Sequence, residues 1–215
     1  MSAACTGVIL AGGRASRYGG RPKGLERVGG ERIIDRVRAR LLEVVDDLLL
    51  IANASDADSW LPGVRRRSDV ILDAGSLGGI HAALSHAGTS VLLVAWDMPF
   101  VPTTLLRRLL ALGESADAAV PESESKRGLE PLCAYYSQAC LAPIERRLAQ
   151  DERRVIAFFD DVKVARLPFD DVQRFGDPAI MFMNVNSPEE LALANSYDAA
   201  ANRAADPADI HGRRS

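Results

Sequence analysis

The run Val8-Ile9-Leu10 passes through Ala11 into Gly12-Gly13 and then a loop carrying Arg14, Arg17, Arg21 and Lys23 with no acid among them. A short β-branched and aliphatic run of this kind suits a strand buried on both faces of a parallel sheet. Two glycines at its end allow a sharp turn and let backbone N–H groups approach a phosphate, to which a helix N-terminus adds positive potential. Four cations so close together then invite a polyanion such as a nucleoside triphosphate. Two familiar phosphate loops are excluded: Lys23 is followed by Gly24 rather than Ser or Thr, and the glycines are not spaced G-x-G-x-x-G. A tight strand-to-helix turn with solvated cations is the alternative reading of the same residues.

The rest of the chain alternates apolar strands with amphipathic helices. Strands are expected at Thr6–Ala11, Leu48–Asn53, Val70–Asp73, Ser90–Asp97 and Ala118–Pro121, with helices over about 31–45, 78–87 and 102–112. That order predicts βαβ crossovers, hence a three-layer α/β/α fold: a doubly wound, mostly parallel, Rossmann-like sheet with its ligand site at the carboxyl ends of the strands. After Gly128 the pattern loosens into a strand at Leu132–Tyr136, a helix over 138–149, a second short helix, an edge strand near Lys163–Leu167 and a further extended stretch at Phe182–Asn186. No repeat or low-complexity linker divides the chain, so residues 1–196 are expected to form a single domain. Residues 197–215, alanine-rich and polar, read as a frayed or disordered tail.

Composition closes off several classes of function. A net charge of −3 argues against general binding to nucleic acid or an anionic membrane surface. The apolar runs are far shorter than a membrane span, and MSAACTGVIL has no cationic signal region, which points to a cytoplasmic protein. Cys5, Cys133 and Cys140 form no C-x-x-C pair and read as reduced bystanders. His81 and His86 fall on one helix without zinc-site spacing and read as packed or solvated side chains, and His211 has no partner in sequence.

Several strands end in polar residues where this fold places a ligand: Asn53, Asp73 and Asp97. Asp97 terminates the almost wholly apolar SVLLVAWD, and Met98-Pro99 then stops the strand. A lone carboxylate there suits Mg²⁺, which takes one or two protein carboxylates and fills its shell with phosphate oxygens and water; the alternative role is a helix cap. Asp73 precedes a second glycine-rich turn, Ala74–Gly79, where a flat base or ribose could lie against backbone, or which simply opens a helix. Asn184 and Asn186 alternate along an expected strand, so they share one face. Ser187, Pro188 and Glu190 read as the N-cap, first helical position and capping-box acid of the next helix.

Taken together, L-A-G-G-x-x-x-R-Y-G-x-x-x-K at 10–23, the strand ending Asp97-Met98-Pro99, ERRVIAFF at 152–159 and MNVNSPEEL at 183–191 resemble the molybdenum cofactor guanylyltransferase family, often called MobA. The resemblance covers nearly the whole chain except the tail. It implies a GTP-dependent enzyme that joins GMP to the terminal phosphate of molybdopterin and releases pyrophosphate, with Mg²⁺ as cofactor and with proteins that deliver or receive the cofactor as partners. On the matching positions, Leu10, Ala11, Gly12 and Gly13 would meet the nucleotide, Lys23 and Arg17 the phosphates, Asn53 and Asp73 the nucleoside, and Asp97 the metal. Arg153, Arg154, Asn184 and Asn186 would line the pterin side. The chain departs from the family pattern at Pro22, where members often carry Asp, at Ile51 in place of the first asparagine of an N-x-N strand end, and at Ser76 in place of a proline. A cytidylyl or sugar-phosphate nucleotidyltransferase, or a nucleotide-binding regulatory module without catalysis, remain the alternatives.

Overall fold

The computed structural model describes residues 4–12, 22–126 and 128–205. Its centre is a seven-stranded sheet in the order β5-β4-β1-β6-β8-β7-β9. The strands are β1 (Cys5–Ala11), β4 (Asp47–Ala52), β5 (Arg65–Arg67), β6 (Ser90–Ala95), β7 (Ala118–Pro121), β8 (Cys133–Tyr136) and β9 (Val164–Leu167). All neighbours run parallel except β8, which is antiparallel to both β6 and β7. A separate two-stranded hairpin, β2 (Arg27–Val28) with β3 (Glu31–Arg32), precedes helix α1 (Ile33–Leu42).

Strict alternation between two apolar clusters explains the layering. In β1, Ile9 and Ala11 face one apolar cluster while Val8 and Leu10 face the other, and β4 and β6 repeat the pattern with Leu48, Leu50, Leu92 and Val94 against Leu49, Ile51, Val91 and Leu93. Both faces are therefore apolar, as a buried parallel sheet requires. One face is covered by α1, α3 (Thr103–Gly113) and α7 (Pro188–Ala205), and the other by α2 (Gly75–Ala87) and α4 (Leu141–Ala149). Two short helices, α5 (Phe169–Val172) and α6 (Pro178–Met181), lead into α7. From β1 the chain passes to β4 on one side and later to β6 on the other, so strand order reverses at β1. The crevice beyond the carboxyl ends of β1, β4 and β6 is the switch point where open α/β sheets bind ligands.

Four expectations are corrected. Val70–Asp73 is not a strand: the chain pairs with β4 earlier, through Arg65–Arg67, and leaves Val70, Ile71 and Leu72 exposed in a turn. The β-branched run pointed to a buried strand, whereas the true strand is a short sheet edge whose charged side chains discourage further pairing. Phe182–Asn186 belongs to no sheet, and the stretch around 152–161 forms turns and a 3-10 turn (Phe159–Asp161) rather than a helix. The tail does not fray from residue 197. α7 continues to Ala205, presenting Leu191, Ala194, Asn195 and Asp198 inward at helical spacing, and residues 206–215 lie outside the described residues.

The cysteines are free. Burial pushes the thiols of Cys5 and Cys140 up to about 12 and that of Cys133 higher still, so none is a thiolate near neutrality. His81 is buried on α2 with its Nε2 3.5 Å from Glu145 Oε1, and His86 Nε2 lies 3.0 Å from the Ser68 carbonyl. Packing on α2 holds His81, whose Nδ1 has no hydrogen-bond partner among the described residues, and the carbonyl contact holds His86. No helix among the described residues is long and apolar enough to cross a membrane.

Candidate active site

A cavity of about 890 Å³ opens at the switch point. Its floor is the carboxyl end of β1, where Leu10, Ala11 and Gly12 line it together with Ala95, Trp96 and Asp97 from the end of β6. Among the described residues nothing lies within 4 Å of where a Gly12 Cβ would be, so a bound group can lie against its backbone. The site residues expected at Gly13 and Arg17 lie outside the described residues.

Lys23 and Asp97 meet at this wall. The Lys23 ammonium lies 2.5 Å from Asp97 Oδ2, with only 14% of the lysine side chain and 8% of the aspartate side chain exposed. It also donates to Asn186 Oδ1. Two of its three N–H donors are thus committed among the described residues, and the third can meet an incoming oxygen. Lys23 sits on a 3-10 turn (Lys23–Leu25) opened by Pro22, whose φ of −68° is ordinary for proline and whose carbonyl accepts Leu25 N at 3.0 Å. Gly24 lies against the indole of Trp96: a Cβ there would come within 2.6 Å of Trp96 Cδ2. We expect Gly24→Ala to push the turn off the ring, lowering stability by about 1–3 kcal/mol and displacing Lys23. Thermal unfolding and nucleotide affinity measured together would check this, and unchanged values in both would refute it.

The segment around Asn184 is fixed by Asp97 through its main chain, since Val185 N donates to the Asp97 carbonyl at 2.9 Å and the Val185 side chain is fully buried. Alternation about Val185 survives without a sheet, yet the two asparagines reach different places. Asn184 lines the cavity, while Asn186 holds Lys23. Ser187 Oγ accepts Glu190 N at 3.2 Å, as expected of an N-cap, and the Glu190 carboxylate accepts Asn186 N at 2.6 Å, one residue before the position a capping box would use.

On the opposite wall Asn53 and Asp69 form a closed pair: Asn53 Nδ2 donates to Asp69 Oδ2 at 2.7 Å and Asp69 N donates to Asn53 Oδ1 at 2.8 Å. Both line the cavity. Asp69 escaped the sequence reading because the strand was placed over 70–73. The signal that could have found it is an acid just beyond the short arginine strand. Asp73 also lines the cavity, with φ +56° placing it in the left-handed region that non-glycine residues rarely adopt. Its carbonyl accepts from Arg153 Nη1. Arg153 thereby reaches the cavity, whereas the equally expected Arg154 does not line it and turns to Glu152 with contacts of 2.8–3.0 Å. Ile51 and Ser76 line the cavity as well.

The Arg154 guanidinium and backbone N–H hold the Glu152 carboxyl down at about 2. A depressed carboxyl contributes order that is complete above its unfolded value and is lost as pH falls through the folded one. The turn at 151–154 is therefore expected to stay ordered from neutrality to about pH 4, the usual carboxylate range, and to loosen only toward pH 2. The Glu152 carboxyl resonance reports this directly, and Arg154→Ala should return its titration to the usual range.

Among the described residues no three His, Cys, Asp or Glu side chains converge to hold a metal. The donor set is instead one buried carboxylate beside a cation that can turn toward phosphates. This fits Mg²⁺, which keeps several waters and takes much of its shell from substrate oxygens.

A sequence model of the MobA-like NTP transferase domain matches residues 7–164. The chain is 35% identical to the molybdenum cofactor guanylyltransferase of Desulfosudis oleivorans, over 90% of this chain and 95% of the relative. It is 38% identical to the probable molybdenum cofactor guanylyltransferase of Pelotomaculum thermopropionicum, over 88% and 91%. Among solved structures it resembles molybdopterin-guanine dinucleotide biosynthesis protein A from Archaeoglobus fulgidus, with a TM-score of 0.76, 26% identity, and 91% and 99% of the two chains covered.

Proposed function

The chain belongs to the MobA-like NTP transferase family and is an enzyme of the nucleotidyltransferase type, and from that premise we propose that it transfers GMP from GTP to the terminal phosphate of molybdopterin, yielding the guanine dinucleotide cofactor and pyrophosphate in the cytoplasm. The observation that carries the reading is the buried Lys23–Asp97 pair at the carboxyl end of β6, beside the Leu10–Gly12 floor. It joins a phosphate-binding cation to a metal-binding carboxylate in a cavity of about 890 Å³, roomy enough for a nucleotide.

In this reading Leu10, Ala11 and Gly12 lie along the nucleotide, Gly13 and Arg17 extend the phosphate contacts, and Asn53, Asp69 and Asp73 face the nucleoside. Arg153 and Asn184 turn toward the acceptor. Arg154 is left to brace Glu152, and Asn186 serves Lys23 rather than the pterin. Asp97 would hold Mg²⁺, which when bound supplies positive charge against the triphosphate. A terminal oxygen of the molybdopterin phosphate attacks the α-phosphorus in line, and the bond to the oxygen bridging the α- and β-phosphorus breaks as pyrophosphate leaves. Lys23, with one N–H free of Asp97 and Asn186, donates to an oxygen of the departing group, where negative charge grows. A phosphate monoester with a second pKa of about 6 is already a competent anion, so no side-chain base is required.

The deciding experiment incubates pure protein and Mg²⁺ with molybdopterin and each of the four nucleoside triphosphates, following pyrophosphate and the mass of the product. Guanylylated molybdopterin from GTP alone is the expected result. Transfer from CTP, or to a sugar phosphate instead, would overturn the assignment. GTP binding without turnover would favour a regulatory module.

A further inference from the structure

We propose that the second half of α7, through Asn195 and Asp198, is a positioning element for Lys23; the inference rests on the reading of Lys23 as a phosphate-binding cation. The helix grips the short segment 22–32, which carries Lys23, at both ends. At its start, Glu190 accepts Asn186 N at 2.6 Å and Asn186 in turn accepts from the Lys23 ammonium. Further along, Asn195 clasps the β2–β3 hairpin: Gly29 N donates to its Oδ1 at 3.0 Å and its Nδ2 donates to the Arg27 carbonyl at 3.3 Å. One turn beyond, Asp198, 8% exposed, pairs with Arg36 Nη2 at 2.7 Å, and the same nitrogen donates to the Val28 carbonyl at 2.8 Å.

The hairpin is rigidly joined to the lysine turn. Only Glu26 separates the two; Glu26 N donates to the Lys23 carbonyl at 3.1 Å, and Ile33 N donates to the Glu26 carbonyl at 3.0 Å. Gly29, with φ +58°, presses so closely on α7 that a Cβ there would lie 2.7 Å from Asp198 Cγ. Movement of the hairpin against the helix is therefore movement of the lysine turn against Asn186.

Burying an ion pair is a poor way to gain stability, since desolvation offsets most of the attraction. What a buried pair and a two-way amide clasp do supply is a single register. Neither Asn195 nor Asp198 lines the cavity, so their influence on ligand runs through Lys23.

Phosphate dependence separates positioning from mere stability. Binding of GTP and of guanosine to wild type, Asn195→Ala and Asp198→Asn is measured by calorimetry, alone and combined with Lys23→Met. The expected result is a loss of about fivefold in GTP affinity, a fraction of one charge-assisted hydrogen bond, with guanosine affinity unchanged. Added to Lys23→Met, either substitution should cost nothing more, because the group they position is gone. Parallel losses of GTP and guanosine, or losses additive with Lys23→Met, would overturn the proposal. Asn195→Ala removes no ion pair and keeps the test available if Asp198→Asn fails to fold. Wild type that does not bind GTP would defeat the functional reading itself, whereas variants that match a GTP-binding wild type would defeat this inference alone.

Discussion

Asp97→Asn is expected to lower guanylyl transfer by about 10²–10³-fold, the range found when one preorganised electrostatic contact to a transition state is removed, while leaving the fold nearly unchanged. The substitution keeps shape and keeps an oxygen able to accept from Lys23. It also spares the main-chain bond from Val185 to the residue 97 carbonyl. What disappears is the negative charge that would hold a divalent cation against the triphosphate. Steady-state kinetics over a range of Mg²⁺ concentrations, beside a thermal melt, provides the check. Near wild-type transfer with an unchanged Mg²⁺ dependence would sink the metal role of Asp97.

Lys23→Met should reduce transfer by a similar factor and should in addition destabilise the protein. The asymmetry follows from what each substitution leaves behind: in Asp97→Asn the ammonium can still donate to two side-chain oxygens, at residues 97 and 186, whereas in Lys23→Met the carboxylate loses its donor. Without the ammonium, the Asp97 carboxylate stays 8% exposed and loses its cation, and a buried charge stripped of its partner costs several kcal/mol; with residual exposure of both groups we expect about 2 kcal/mol. The double variant Lys23→Met/Asp97→Asn should recover most of that stability and none of the activity, since no charge then remains unpaired. Denaturant unfolding of the single and double variants separates the effects. A double variant no more stable than Lys23→Met would show that the stability loss is not electrostatic.

The parts of this protein legible in sequence were those where a local pattern and the tertiary environment agree. β1, β4 and β6 are apolar on both sides because both sides are covered, so their composition alone located the sheet and the strand-end residues Asn53 and Asp97. Disagreement hid the rest. β5 is three arginines at a sheet edge, where exposure removes any need for apolar residues, and the VIL run that imitated a strand is solvent-exposed beside it. α7 has an inward stripe, but its members are Leu191, Ala194, Asn195 and Asp198, and a half-polar stripe is invisible to a search for apolar spacing. Its partners, Gly29 and Arg36, lie more than 150 residues earlier in the chain. The same remoteness separates Lys23 from Asn186, so the alternation of two asparagines could be seen in sequence while their divergence into cavity and lysine could not.

The two tryptophans of this chain, Trp60 and Trp96, stack with ring centroids 5.1 Å apart on the cavity wall, Trp96 against the Lys23–Gly24 turn. All indole emission from the protein therefore arises at a single spot, the place where nucleotide is expected to enter. The enzyme carries its own optical reporter: ligand binding and movement of the lysine turn can be followed by intrinsic fluorescence, with no label attached and no second tryptophan site to confuse the signal.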